Sequence, residues 1–333
     1  MLDTRHPDDL VIVIVIVIVI VIIVIIELIR NFAQKLKPLD MILSSITWDV
    51  DPILFSLGSL QVRWYGMCWA VGFLFGYLLL GRVYKHEKMS SESLDRVLMY
   101  MLVSTVIGAR IGHCYFYEPE FYLAHPLNVL KIWEGGLSSH GGGIGILIGL
   151  YIYARKEKKT YIWILDRIVI PVCLVGSFIR LGNLMNSEIY GTPTSLPWGF
   201  RFMRGNEQFC GTFDNYTECT SQSCCPPDQW LPCHPTALYE IASLLITMGI
   251  LLWLYFKKDM AFKHHGFMFG LFLTIIFSCR ICIEFLKNVQ VDFERNMLLD
   301  MGQWLSLPFV IAGIVTMIIS LTKTSSIDDK QTI

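Results

Sequence analysis

The chain has 333 residues, with 27 Lys and Arg against 28 Asp and Glu for a net charge of −1; 54% of it is hydrophobic and only 17% charged. Soluble domains carry about 25% charged residues, and the mean hydropathy here is +0.52. These values exclude a strongly basic nucleic-acid binder and a chain of ordinary soluble domains; they predict an all-α polytopic integral membrane protein.

Residues 1–40 come first, as an N-terminal extension. Within it, residues 11–26 read VIVIVIVIVIVIIVII, an unbroken aliphatic run. The alternation imitates a strand, but such a strand would be exposed and prone to aggregate. The run is either a short extra membrane helix or a product of start-site choice. As a helix it would leave Arg30, Lys35 and Lys37 outside, against the positive-inside rule. Met41 begins a stretch that reads well as a start.

A membrane domain follows over residues 41–322. A spanning helix needs about 20 mostly apolar residues to cross the hydrocarbon core. Seven segments fit: 65–81, 97–116, 137–154, 162–180, 235–256, 266–286 and 301–321. Arg82, Lys85, Lys88 and Arg96 follow the first; Arg155, Lys156, Lys158 and Lys159 follow the third; Lys257, Lys258 and Lys263 follow the fifth. The positive-inside rule makes that side cytoplasmic, together with the tail 323–333. Loops 117–136, 181–234 and 287–300 then face outward. The second of these contains an insertion, about 200–233, with Cys210, Cys219, Cys224, Cys225 and Cys233. Disulfides are expected in an oxidising outer compartment, with Cys114 as a partner for the odd thiol. Spacing alone does not fix the pairing, and it lacks the paired CxxC of a zinc site.

Ionisable residues inside membrane segments are functional candidates. Here they are Arg110, His113, His140, Asp166, Arg167, Arg180, His234, Glu240, Arg280 and Glu284. Each has a plainer alternative: Arg280 and Glu284 are spaced to neutralise each other on one helix, and Asp166 and Arg167 are placed to snorkel toward the cytoplasm. Glycines recur at four-residue spacing at Gly141, Gly145 and Gly149, with further pairs Gly72/Gly76, Gly108/Gly112 and Gly266/Gly270. Their first meaning is close helix packing. Gly141 and Gly142, beside His140 in WEGGLSSHGGGIG (133–145), are places where a ligand could approach the backbone. In RLGNLMNSEIYGTPTSLPWG (180–199), Arg180, Asn183, Asn186 and Glu188 fall at the outer end of a membrane helix. A guanidinium fork matches phosphate oxygens, so this end suits a lipid headgroup. No G-x-S-x-G elbow, HExxH, P-loop or Rossmann fingerprint occurs.

DPILFSLGSLQVRWYGMCWAVGF (51–73), EGGLSSHGGGIG (134–145), RLGNLMNSEIYG (180–191), LPCHPTALYE (231–240), RICIEFLK (280–287) and MGQWLSLPFVIAGI (301–314) resemble, in order, the motifs of the prolipoprotein diacylglyceryl transferase family. The resemblance implies transfer of the diacylglyceryl group of phosphatidylglycerol to the lipobox cysteine of a prolipoprotein, forming a thioether and releasing glycerol phosphate. It implies a multi-pass protein of the bacterial plasma (inner) membrane with its site toward the outer face. The partners it implies are phosphatidylglycerol, prolipoprotein signal peptides and membrane lipids, with no nucleic acid. No metal or organic cofactor is called for.

Carried over by motif, the catalytic candidates are His140, Arg180, Arg280 and Tyr65. Arg180, Asn183, Glu188, Gly191, Gly141 and Gly142 are candidates for binding phosphatidylglycerol. Arg180 and Arg280 would grip the phosphate, His140 would take the thiol proton, with Tyr65 as its hydrogen-bond partner, and Glu188 would orient Arg180 or His140. The signature departs from the family at Ile179 for glycine, Leu184 for phenylalanine and Ser187 for glycine. A transporter predicts repeat-related broken helices, and no internal repeat is found. Serine and paired-aspartate membrane proteases lack their nucleophiles here.

Overall fold

A computed structural model describes residues 46–58, 60–131, 136, 138–205, 208–213, 215–219, 225–288 and 299–322. The extension 1–40, the tail 323–333, Cys224 and the side chain of Cys219 lie outside the described residues.

In chain order come β1 (Ile46–Trp48), β2 (Ile53–Leu57), β3 (Leu60–Arg63), α1 (Trp64–His86), α2 (Ser91–Phe116), α3 (Ser139–Lys156) and α4 (Tyr161–Met185). Then follow β4 (Phe200–Phe202), β5 (Gln208–Thr212), β6 (Asn215–Cys219), α5 (Thr236–Lys258), α6 (Phe267–Glu284) and α7 (Met301–Thr322). Each of the seven apolar segments corresponds to one long helix. Six of these helices, all but α3, are long and apolar enough to cross a membrane. In α3 the glycines at 141, 142, 143, 145 and 149, with His140, Arg155 and Lys156, dilute the aliphatic content. Ile111, Ile148, Ile246 and Ile311 stay exposed on their helices, as side chains facing lipid would be.

The chain divides into two compact units, Tyr77–Val169 and the remainder. Within Tyr77–Val169, Ser90 caps α2 by accepting from Ser93 N at 3.3 Å, and Ser138 caps α3 by accepting from Gly141 N at 3.3 Å. The two helices cross on glycine. A Cβ on Gly108 would meet the Gly141 carbonyl, one on Gly112 would lie 2.8 Å from Gly141 Cα, and one on Gly145 would meet the Ser104 carbonyl. Arg167 does not snorkel: it is 1% exposed, its Nε donates to Glu87 Oε1 at 2.7 Å, and Trp163 Nε1 donates to Glu87 Oε2 at 3.1 Å. A buried guanidinium needs such a partner. Asp166 is buried with it. Arg110 donates to the carbonyls of Asn128 (2.7 Å) and Val129 (2.9 Å), so it pins the segment after α2 to that helix.

In the other unit, β1 pairs in parallel with β4, and β5 forms a hairpin with β6. The insertion at about 200–233 thus holds three short strands, β4, β5 and β6. Their formation rests on an aromatic cluster of Tyr190, Phe200, Phe202 and Phe209 with Leu184, which gives otherwise isolated strands a hydrophobic face. Trp48 Nε1 donates to the Leu184 carbonyl at 3.0 Å, tying β1 to the end of α4. Cys210 pairs with Cys225. Cys114 is a buried free thiol, so it is not the partner expected for the odd cysteine. Gly72 and Gly76 let α1 approach Phe178 and Val175 of α4. Gly270 and Gly313 do the same for α6 and α7: a Cβ on either would lie 2.7 Å from the other's carbonyl oxygen.

Candidate active site

Arg180 lies near the C-terminal end of α4, and Asn183 follows it by one turn. Arg180 Nη1 donates to Asn183 Oδ1 at 3.3 Å. The helix stops at Met185, and the chain reverses through Ser187 and Ile189, both with φ of 55°. That reversal returns Glu188 over the helix end. Asn183 Nδ2 donates to Glu188 Oε2 at 3.2 Å, and Asn186 Nδ2 donates to Glu188 Oε1 at 3.1 Å. Glu188, Asn183 and Arg180 thus form one hydrogen-bonded chain.

Arg180 also forms an ion pair that the motif reading leaves out. Its Nε is 2.5 Å from Glu240 Oε2. Glu240 Oε1 is 2.9 Å from Lys287 Nζ, and Lys287 Nζ donates to Glu284 Oε2 at 3.1 Å. Arg180, Glu240, Lys287 and Glu284 thus alternate in sign and sum to zero. Glu240, Glu284 and Lys287 are all buried. Their signal was present in the sequence, since Glu240 ends LPCHPTALYE and Lys287 ends RICIEFLK with Glu284 three residues before it. Only the fold shows that the two strings share one carboxylate–ammonium contact.

Arg280, on the last turns of α6, is half-buried. Its expected mate, Glu284, is engaged by Lys287. Among the described residues Arg280 has no ion-pair or hydrogen-bond partner. An unpaired guanidinium in a membrane helix is costly, and an anion would compensate it.

Tyr65, on the first turn of α1, has its ring against the backbone of Gly182; a Cβ there would lie 2.8 Å from Tyr65 Cδ2. Tyr65 thus stands beside the turn of α4 that carries Arg180 and Asn183. Gly191 is a backbone crossing. Its N–H donates to the His234 carbonyl at 2.8 Å, and a Cβ would meet the Leu286 carbonyl and lie 2.9 Å from both His234 Cβ and Thr236 Cγ2. This close packing accounts for the glycine.

His234 precedes α5. Trp198 Nε1 donates to the Tyr239 hydroxyl oxygen at 2.9 Å, and that hydroxyl lies 3.1 Å from His234 Nδ1. Burial lowers the His234 pKa to about 4, so the ring is neutral at physiological pH. The tyrosine, accepting from Trp198, then donates to Nδ1, and the ring proton sits on Nε2.

His140 lies in the Tyr77–Val169 unit, on the first turn of α3, and is exposed. Gly141 beside it belongs to the contact with α2. Gly142 is buried, and a Cβ there would make ordinary van der Waals contact with Thr105 Cγ2 at 3.5 Å and Ala109 Cβ at 3.6 Å. Gly143 has open space instead, with nothing within 4 Å of where a Cβ would stand.

The family model described as prolipoprotein diacylglyceryl transferase matches residues 52–319. The chain is 46% identical over 274 residues to the phosphatidylglycerol–prolipoprotein diacylglyceryl transferase of Tolumonas auensis, an overlap covering 82% of this chain and 96% of that protein. The enzyme of the same description from Porphyromonas gingivalis is 43% identical over 275 residues, covering 81% of this chain and 92% of the relative. That from Chloroherpeton thalassium is 42% identical over 273 residues, covering 82% and 93%.

Proposed function

This chain belongs to the prolipoprotein diacylglyceryl transferase family, and we propose that Arg180, with the polar network that fixes it, and Arg280 form its lipid-headgroup site. The protein is a multi-pass membrane transferase. It moves the diacylglyceryl group of phosphatidylglycerol to a prolipoprotein, the first step of lipoprotein maturation.

Sulfur attacks a glycerol carbon. The C–S bond forms as the C–O bond to phosphate breaks, and glycerol phosphate leaves. The leaving phosphate gains charge and needs cations already in place. The observation that carries the assignment is the division of labour between the two arginines. Arg180 is held by Glu240 and Asn183, while Arg280 has no carboxylate among the described residues. One is preorganised and the other is left to an anion, which suits a phosphodiester with two oxygens to bind.

The thiol must lose its proton, because thiolate is the nucleophile. His140 is the proposed acceptor. It is exposed, and among the described residues neither ring nitrogen has a partner. Glu188 and Asn183 act on Arg180, and Tyr65 borders the headgroup. Residues 41–322 make up the transferase domain, with 200–233 as its insertion. The Lys- and Arg-rich loops at 82–96, 155–159 and 257–263 mark the cytoplasmic side of the bacterial inner membrane. Arg180 and Arg280 fall at helix ends away from those loops, which supports a headgroup site toward the outer face.

The test supplies the purified protein with phosphatidylglycerol labelled in its glycerol headgroup and a peptide bearing a lipobox cysteine. Release of labelled glycerol phosphate with a diacylglyceryl mass gain on the peptide, both lost in Arg180→Ala, is the expected result. Undiminished transfer by folded Arg180→Ala would remove Arg180 from the site.

A further inference from the structure

We propose that Lys287 is a positioning residue for this transfer, acting through Glu240 to hold the Arg180 guanidinium at the lipid phosphate; the inference rests on the headgroup site proposed above. The Lys287 side chain is 5% exposed, and its Nζ lies 2.9 Å from Glu240 Oε1 and 3.1 Å from Glu284 Oε2. An ammonium has three donors and no acceptor, so one ammonium can serve both carboxylates. Glu240 in turn spends one oxygen on each cation, Oε1 on Lys287 and Oε2 on Arg180. The backbone of Lys287 adds a second tie. It forms an antiparallel bridge with Gly191, Thr192 N donates to the Leu286 carbonyl at 2.9 Å, and Asn288 Nδ2 donates to the Gly191 carbonyl at 3.3 Å. Lys287 therefore joins the signature stretch that carries Arg180 to the end of α6, which carries Arg280.

Removal of the ammonium has a directional consequence. Glu240 and Glu284 are both buried, and a buried carboxylate stripped of its partner seeks another. For Glu240 the cation already in contact is Arg180. With both oxygens drawn to one guanidinium, Arg180 would turn toward Glu240 and its remaining N–H groups would leave the phosphate. An arginine at 287 retains the charge and can span two carboxylates with its fork. A neutral side chain cannot. The bridge to Gly191 is made by the backbone of residue 287, so no substitution there removes it.

Full-length wild type, Lys287→Met and Lys287→Arg would be compared in steady-state assays with phosphatidylglycerol and the lipobox peptide, alongside thermal midpoints. Lys287→Met is expected to raise KM for phosphatidylglycerol and lower kcat together, reducing kcat/KM roughly 10- to 100-fold, as misplacement of a binding group does. Lys287→Arg is expected to restore most of that loss at an unchanged KM for the peptide. Should Lys287→Met fail to fold, Lys287→Gln, neutral but still a donor, is held to the same criteria. Wild-type kinetics in the neutral variant, a loss confined to the amount of folded enzyme with KM unchanged, or no rescue by arginine would each overturn the proposal. Wild-type protein that consumes no phosphatidylglycerol would overturn the headgroup site itself, and this inference with it.

Discussion

Ser187 holds a left-handed backbone at φ 55°, and its buried hydroxyl has no hydrogen-bond partner among the described residues. Both features disfavour serine, since a side chain in that conformation costs about 1–2 kcal/mol and an orphaned polar group about 1–3 kcal/mol. The family's glycine suits the site better. Ser187→Gly is expected to raise stability by about 1 kcal/mol after glycine's own entropic cost, read as a higher Tm with transfer retained. The two arginines should behave differently from each other. Arg280→Ala removes a cation with no acid partner among the described residues, so turnover falls by a hundredfold or more at near wild-type Tm, the size of a lost transition-state contact. Arg180→Ala should lower both, because it also strands Glu240. Replacing His140 with Gln should abolish transfer and leave phosphatidylglycerol binding in a vesicle flotation assay intact; lost binding with residual turnover would remove it as the base. His234 sets a pH dependence. Its folded-state pKa is lowered by burial to about 4 from 6.5, so the unfolded chain binds more protons between those values. Stability from this group is complete above about pH 6.5 and is lost as pH falls toward 4, by up to about 3 kcal/mol. Thermal midpoints measured across that range should drop in wild type and flatten in His234→Asn.

At the scale of elements, glycine spacing predicted close packing, and the fold shows which glycines do it. Gly108, Gly112, Gly141 and Gly145 form the α2–α3 crossing, whereas Gly143, in the same run, faces open space. Gly145→Val would drive a branched side chain into the Ser104 carbonyl and should destabilise by about 1–3 kcal/mol. Gly143→Ala meets nothing and should gain up to about 1 kcal/mol of helix propensity; unfolding in mild detergent distinguishes them. Helix positions were legible because a run of aliphatic residues long enough to span lipid has few other fates. The strands β1 and β4–β6 were not legible. Each is short, and β1 pairs with β4 across about 150 residues of chain, a distance over which local periodicity carries no signal.

For the whole molecule, the cysteine-rich insertion was visible as an outward loop, and its bonding was not. Cys210 and Cys225 are 15 residues apart, and a cross-link of that span contributes about 3 kcal/mol in the chain-entropy picture. Changing both to serine should leave transfer intact, because the accepting thiol belongs to the substrate. Limited proteolysis should then cut the insertion faster, and lost turnover in an otherwise folded variant would show the insertion takes part in the reaction. The sequence by itself determined a membrane protein, the course of its helices, the family and the identity of the polar residues, because hydropathy and motif order are properties of the linear chain. Only the tertiary structure decided who partners whom. Glu284 binds Lys287 and not Arg280, Glu240 bridges Arg180 to Lys287, and Arg167 meets Glu87 inside the protein. Those choices depend on side chains from distant segments meeting where water is excluded. There an unpaired charge is too costly to leave, so each contact is settled by packing in three dimensions.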